Sequence, residues 1–135
     1  MTFVQSVNRG LSRMSNFSDR ASRSEYWWYI LFLVLVMYAV SVLLGFGYGL
    51  TASVNLSNHD ILSQPGYWLG LAFDAFILAT TLAAGARRLH DTGRSGWWML
   101  LHLTVVGGLV LLFWWCLPGT KGANPYGPDP LEGEG

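Results

Sequence analysis

The sequence predicts an all-α membrane protein: three transmembrane helices, an N-terminal amphipathic interfacial segment and a Pro/Gly-rich C-terminal tail, in one membrane domain over residues 1–135. Three observations carry this. Hydrophobic residues make up 52% of the chain and charged residues only 12%, where a soluble domain holds about 25% charged. The apolar residues collect in three runs, 27–47, 67–85 and 97–117, each close to the roughly 20 residues that cross a ~30 Å hydrocarbon core. All seven tryptophans, Trp27, Trp28, Trp68, Trp97, Trp98, Trp114 and Trp115, fall at the ends of these runs, where an indole prefers the bilayer interface.

Residues 1–25 form the leader. Phe3, Val7, Leu11, Met14 and Phe17 recur at helical spacing, with Gln5, Asn8, Arg9, Ser12 and Arg13 largely on the other side, the pattern of a helix lying flat on a membrane. Gly10 and several Ser and Asn residues weaken helix propensity, so a frayed leader fits the same stretch. A cleaved signal peptide fits less well, because the following apolar run exceeds a signal core and no small-x-small site closes it. Ser22 or Ser24 is placed to cap the first spanning helix, and Glu25 falls in its first turn, where the helix dipole favours a carboxylate.

Between Glu25 and Asp60 the only ionisable group that titrates near neutrality is His59, so the first span is uninterrupted by charge. Gly45, Gly47 and Gly49, the polar stretch Thr51 to Gln64 and Pro65-Gly66 read as a loop. The second span carries Asp74 and ends at Arg87-Arg88; the third carries His102 and a Gly107-Gly108 pair. From Pro118 onward, residues 118–135, proline and glycine are too frequent for a helix or strand interior.

Seven of the eight basic residues segregate: Arg9, Arg13, Arg20 and Arg23 precede the first span, and Arg87, Arg88 and Arg94 join the second to the third. By the positive-inside bias this face is cytoplasmic, which places the amino terminus and the Arg87–Trp98 corner inside and the Thr51–Gly66 loop and the tail outside. A break at Gly107-Gly108 is where that topology would fail, since a re-entrant third run returns the tail to the cytoplasm.

Three blocks resemble the bacterial DUF805 family of small inner-membrane proteins: Ala21-Ser-Arg-Ser-Glu-Tyr-Trp27, Arg87-Arg-Leu-His-Asp-Thr-Gly-Arg-Ser-Gly-Trp-Trp98 and Gly119-Thr-Lys-Gly-Ala-Asn-Pro-Tyr-Gly-Pro-Asp-Pro130. Two departures stand out: Asp19 where members often carry glycine, and Gly107-Gly108 where a Pro-x-x-Gly-like break is common. The resemblance implies a bacterial inner-membrane location and supplies no mechanism.

The candidate functional residues are polar groups at or within the spans. Arg20, Arg23, Arg87, Arg88 and Arg94 are expected near one interface, where guanidinium groups hold phosphate in forked geometry or serve only as topological anchors. His90 and Asp91 form a tempting catalytic pair, yet neighbours on a helix point about 100° apart. With Gly93, Ser95, Trp97 and Trp98 they read more simply as a structural corner: a helix C-cap, a turn and an N-cap. Asp74 lies near the level of Tyr38 and Ser41 on the first span, and an intramembrane carboxylate is either a polar tie between helices or an ion site. His102 lies nearer the level of Thr80 and Thr81. Lys121, Tyr126 and Asp129 are expected to close a turn or cap the outer mouth of the bundle.

Several classes are disfavoured. The formal net charge is zero, so no whole-chain field argues for nucleic acid. The single Cys116 excludes an internal disulfide and any multi-cysteine metal site. No nucleotide loop, helical His-Glu-x-x-His motif or nucleophile elbow appears, so no cofactor or metal is expected. The leading expectation is a non-enzymatic accessory protein whose arginine-rich corner contacts anionic membrane lipids or a partner protein. The alternative is an oligomeric channel or transporter subunit using Asp74 and His102; an enzyme built on His90 and Asp91 has the least support.

Overall fold

The structure, a computed structural model, describes residues 1–52 and 65–132. It is all-helical, with no strand among the described residues: α1 Phe3–Ser12, α2 Arg23–Ala52, α3 Pro65–Asp91, a 3₁₀ helix Gly96–Leu103, and α4 Val105–Cys116. The expected polar loop falls largely on residues 53–64, outside the described residues.

The leader is helical from Phe3 because Thr2 and Gln5 form a reciprocal capping box. Its packing face is not the apolar stripe. Ser6 and Gly10, one turn apart, are buried, and a Cβ at Gly10 would sit inside the Tyr29 ring of α2. The larger side chains Phe3, Val4 and Leu11 stay exposed, with Phe3 edge-on to Trp28 at 5.6 Å. Small residues let two backbones approach, which frees the bulky ones for an interfacial setting.

Helices α2 and α3 contain the two stretches long and apolar enough to cross a membrane, Arg23–Leu43 and Gly66–Asp91. Ser22 caps α2, its hydroxyl accepting from the Glu25 amide at 3.3 Å. At ~1.5 Å per residue, 30 residues in α2 and 27 in α3 give lengths of ~45 and ~40 Å, more than the hydrocarbon core requires. Leu31, Val34, Leu35, Leu69, Leu71 and Leu78 point outward, an apolar exterior that suits lipid and not water.

The third run departs from expectation. It is no continuous span but a hairpin of the 3₁₀ helix and α4, broken at Thr104, whose backbone is extended (φ −125°, ψ 145°). Thr104 caps α4 by accepting from the Gly107 amide at 3.0 Å, and a Cβ at Gly107 would collide with the Leu101 carbonyl and the Thr104 hydroxyl. The limbs, ~16 Å for eight 3₁₀ residues and ~18 Å for twelve α-helical ones, are each shorter than a ~30 Å hydrocarbon core.

A long 3₁₀ run is unusual, and its three-residue repeat explains how this one packs. Gly96, Met99 and His102 form one ridge: a Cβ on Gly96 would lie against His90 and Ala86, Met99 meets Gly85, and His102 lies 5.4 Å from the Trp115 ring. The next ridge, Trp97, Leu100 and Leu103, faces outward and is 78%, 59% and 84% exposed. Trp115 is a second departure: it is buried in the core with Tyr26, Tyr29, Leu33, Leu89 and Leu111 rather than at an interface, and its indole donates to the Gly85 carbonyl at 3.3 Å.

Because the hairpin returns, the tail also lies opposite to where the sequence places it. It packs against the leader and the corner, at the same end of the bundle.

Candidate functional site: a buried arginine junction

The corner itself follows from local rules. The Gly93 amide donates to the His90 carbonyl at 3.0 Å and the Arg94 amide to Leu89 at 2.9 Å, with Gly93 at φ 75°. That is a Schellman ending, which needs a residue tolerant of the left-handed region. Ser95 then caps the 3₁₀ helix, accepting from the Trp97 amide at 3.3 Å.

Around this corner, four parts of the chain meet on two arginines and one carboxylate. Asp91 Oδ1 accepts from Arg20 Nε at 3.0 Å, and Asp91 Oδ2 accepts from Arg88 Nη1. The remaining donors go to main-chain carbonyls. Arg20 reaches Thr120 at 2.5 Å, Gly122 at 2.6 Å and Gly127 at 3.2 Å. Arg88 reaches Trp115 at 3.1 Å, Ala21 at 3.2 Å and Leu117. Both guanidinium groups are buried, as is Asp91. The planar fork of arginine suits this work, since five fixed donors can answer several carbonyls at once.

Tail residues complete the closure by satisfying the last carbonyls of α3. The Thr120 amide and hydroxyl donate to Asp91 O at 2.8 and 3.1 Å, and Asn124 Nδ2 donates to His90 O at 2.9 Å. Gly119 passes so close to Asp91 that a Cβ there would overlap the carboxylate. Within the tail, Asp129 accepts from the Gly122 and Leu131 amides at 3.1 and 3.0 Å. The Leu131 amide, then that of Gly122, holds its carboxyl below the usual range.

His90 and Asp91 do not form a pair. The His90 ring stacks on Tyr126 with centroids 4.0 Å apart and planes 3° apart. Its Nε2 accepts from the Gly96 amide at 3.2 Å, and its Nδ1 faces the Asp19 carbonyl at 3.3 Å. A carbonyl can only accept, so the proton sits on Nδ1 and both nitrogens are engaged. Arg87 turns to the other side of the bundle, where its Nη1 lies 3.4 Å from Glu25 Oε1. Arg94 lies 4.7 Å over the Trp114 ring and donates to Thr92 O at 3.3 Å.

The intramembrane polar residues stand apart from this junction. Asp74 is exposed on α3, and Tyr38 and Ser41, its expected partners, do not reach it; Ser41 donates to the Tyr38 carbonyl instead. His102 is exposed beside Trp115. No group of three or more His, Cys, Asp or Glu placed to hold a metal occurs among the described residues.

Sequence reasoning missed Glu25 as the partner of Arg87, Thr120 and Asn124 as donors to α3, and Gly119 as the point of close approach. Of the two expectations for Lys121, Tyr126 and Asp129, a local turn or a cap on the outer mouth of the bundle, Asp129 follows the first by holding the Gly122 and Leu131 amides, and this part of the tail lies at the corner instead of the outer end. The usable signal was the unexplained glycine and asparagine content of the tail, which marks backbone meeting backbone.

A family model described as a protein of unknown function (DUF805) matches residues 14–128. Over 124 residues the chain is 37% identical to the inner membrane protein YhaI of Escherichia coli strain K12, covering 91% of this chain and 92% of that protein. It is 33% identical over 124 residues to the inner membrane protein YhaH of the same organism, covering 89% and 91%. No solved structure matches the chain. With two helices of spanning length, these likenesses make the chain an integral membrane protein.

Proposed function

The chain belongs to the DUF805 family, and from that membership and the geometry of its basic end we propose that it is a non-enzymatic accessory protein of the bacterial inner membrane, with both termini cytoplasmic, that contacts anionic lipid headgroups. One observation carries this reading: the tail docks on the corner, so Lys121 joins the seven arginines and all eight basic residues lie at one end. The positive-inside bias then assigns that end to the cytoplasm. Arg20, Arg87 and Arg88 are buried and serve as the frame. Arg23 and Lys121 are exposed, and each basic residue at an anionic leaflet adds about 1 kcal/mol of attraction.

A reporter active only in the cytoplasm, fused after Gly135, tests the orientation and is expected to be active; a silent fusion that is stably made sinks it. Native mass spectrometry of the detergent-extracted protein tests the lipid preference. Phosphatidylglycerol should be retained over phosphatidylcholine, and equal retention counts against headgroup recognition.

A second reading draws on Asp74. An exposed carboxylate about 14 Å into a span costs several kcal/mol in lipid unless it gains a partner or a proton. Ala75 and Ala79 follow it on the outward side of α3, small enough for close helix contact. These features support an oligomer that gathers Asp74 at a shared polar interface and passes ions. Ion flux in liposomes that Asp74→Asn abolishes would favour it; no flux from the parent protein removes it.

A further inference from the structure

Beside the junction, a cavity of about 390 Å³ opens between the first turn of α2 and the tail, lined on one side by Ser22, Arg23 and Ser24 and on the other by residues 118–121. We propose that this cavity binds a phosphate group, a site that gives the headgroup reading its location and rests on it for the source of the ligand.

Charge is the first argument. Arg23 and Lys121 line the cavity, and neither has a carboxylate partner among the described residues, whereas Arg9, Arg13, Arg20, Arg87 and Arg88 each have one. Two carboxylates also line it, Asp91 and Asp129. Asp91 is already balanced twice, by Arg20 at 3.0 Å and by Arg88. Asp129 stays ionised and directs its two oxygens at the Gly122 and Leu131 amides. Arg23 and Lys121 offset Asp91 and Asp129 along the lining, and the Arg20 and Arg88 guanidinium groups paired with Asp91 lie behind it, so lining and junction together carry two more positive charges than negative ones, which suits a phosphate ester carrying one or two negative ones.

Donors supply the second argument. The α2 ladder opens with the Tyr26 amide on the Ser22 carbonyl at 3.0 Å, and the Ser22 hydroxyl takes the Glu25 amide. The Arg23 and Ser24 amides precede that ladder and have no carbonyl within the helix to accept them. The Ser22 and Ser24 hydroxyls lie 3.3 Å apart; one proton serves that contact and the other is left to donate outward. The 30-residue α2 adds the positive end of its dipole.

Position and size agree. Arg23 lies about one turn before the exposed Trp27 and Trp28, at the depth where interfacial tryptophans meet headgroups, and the volume falls within the range of ordinary ligand sites. A phosphodiester of the adjacent leaflet reaches this cavity from the membrane side, and a soluble phosphate reaches it from the water side.

The test uses the full chain in detergent micelles and follows binding of dihexanoyl phosphatidylglycerol, dihexanoyl phosphatidylcholine and inorganic phosphate by calorimetry, before and after Arg23→Gln/Lys121→Gln. Neither residue belongs to the buried junction, and an unchanged melting midpoint verifies the fold; Lys121→Gln alone, at an exposed tail position, stands in should the double variant misfold, with about a fivefold weakening expected. The site predicts phosphatidylglycerol binding over phosphatidylcholine, weakened roughly thirtyfold by the charge-removing variant. Inorganic phosphate binding that the variant abolishes, with the two lipids equal, keeps the site and sinks the headgroup source. Phosphatidylglycerol preference untouched by the variant sinks the site and keeps the headgroup reading. Absence of all binding sinks both.

Discussion

Replacing Asp91 with asparagine keeps the shape of the side chain and removes one charge from the middle of the junction. In the parent protein Oδ1 accepts from Arg20 and Oδ2 from Arg88. The amide can present an oxygen to only one of them, so its NH₂ group faces the other guanidinium, donor against donor. Both arginines are buried, at 3% and 0% exposure, and cannot recover the loss from water. Removing one partner of a buried ion pair costs about 3–5 kcal/mol, and the residual amide acceptor puts Asp91→Asn near the lower figure. For a chain of this size that is a fall of about 10 °C in melting midpoint, read by tryptophan fluorescence in detergent. Trypsin gives a local readout, because the bond after Lys121 lies between the Thr120 and Gly122 carbonyls that Arg20 holds and should be cut sooner in the variant. Arg20→Met frees the same tail but leaves Asp91 with Arg88, so combining the two changes should cost less than their sum. An Asp91→Asn protein that melts within about 2 °C of the parent and protects Lys121 equally would refute the reasoning.

Gly119→Ala drives a Cβ into a carboxylate that two arginines hold in place, and a cost of about 1–3 kcal/mol is expected in the same melt. At the hairpin tip, Gly107→Ala meets the Leu101 carbonyl and the Thr104 hydroxyl, and a cost of about 1–3 kcal/mol is expected in the same melt, whereas Gly108→Ala, which meets open space, should not lower the midpoint. The depressed pKa of Asp129 means that its stabilisation of the tail is complete above the ordinary carboxylate value and is lost as pH falls through the folded value. Amide resonances of Gly122 and Leu131 should therefore hold steady from pH 7 to about 5 and move only below about 4; movement near pH 5 would contradict it.

Much of the bundle was legible residue by residue. The charge-free run after Glu25 and the apolar run ending at Arg87 become α2 and α3, and Gly93 and Ser95 act as cap and countercap as their chemistry requires. These are local matters, set by composition within a few turns. The third run misled because a largely apolar run of 21 residues, 97–117, satisfies the length of a span whether or not it turns back. Only the extended Thr104 and the crowding at Gly107 distinguish a hairpin from a rod. The period-three ridge of Gly96, Met99 and His102 was present in the sequence but competes with a helical pattern in a stretch that is apolar on nearly every side.

What the sequence by itself determined is the solvent each segment prefers: two long greasy helices, a basic end and a turn-rich tail. What only the tertiary structure decided is the fate of the charges, because Arg20 answers the Thr120 carbonyl 100 positions along the chain. The physical reason is range. Hydropathy and capping act through neighbours a turn away, whereas a guanidinium is spent on lipid or on a distant backbone according to which closure the whole chain makes.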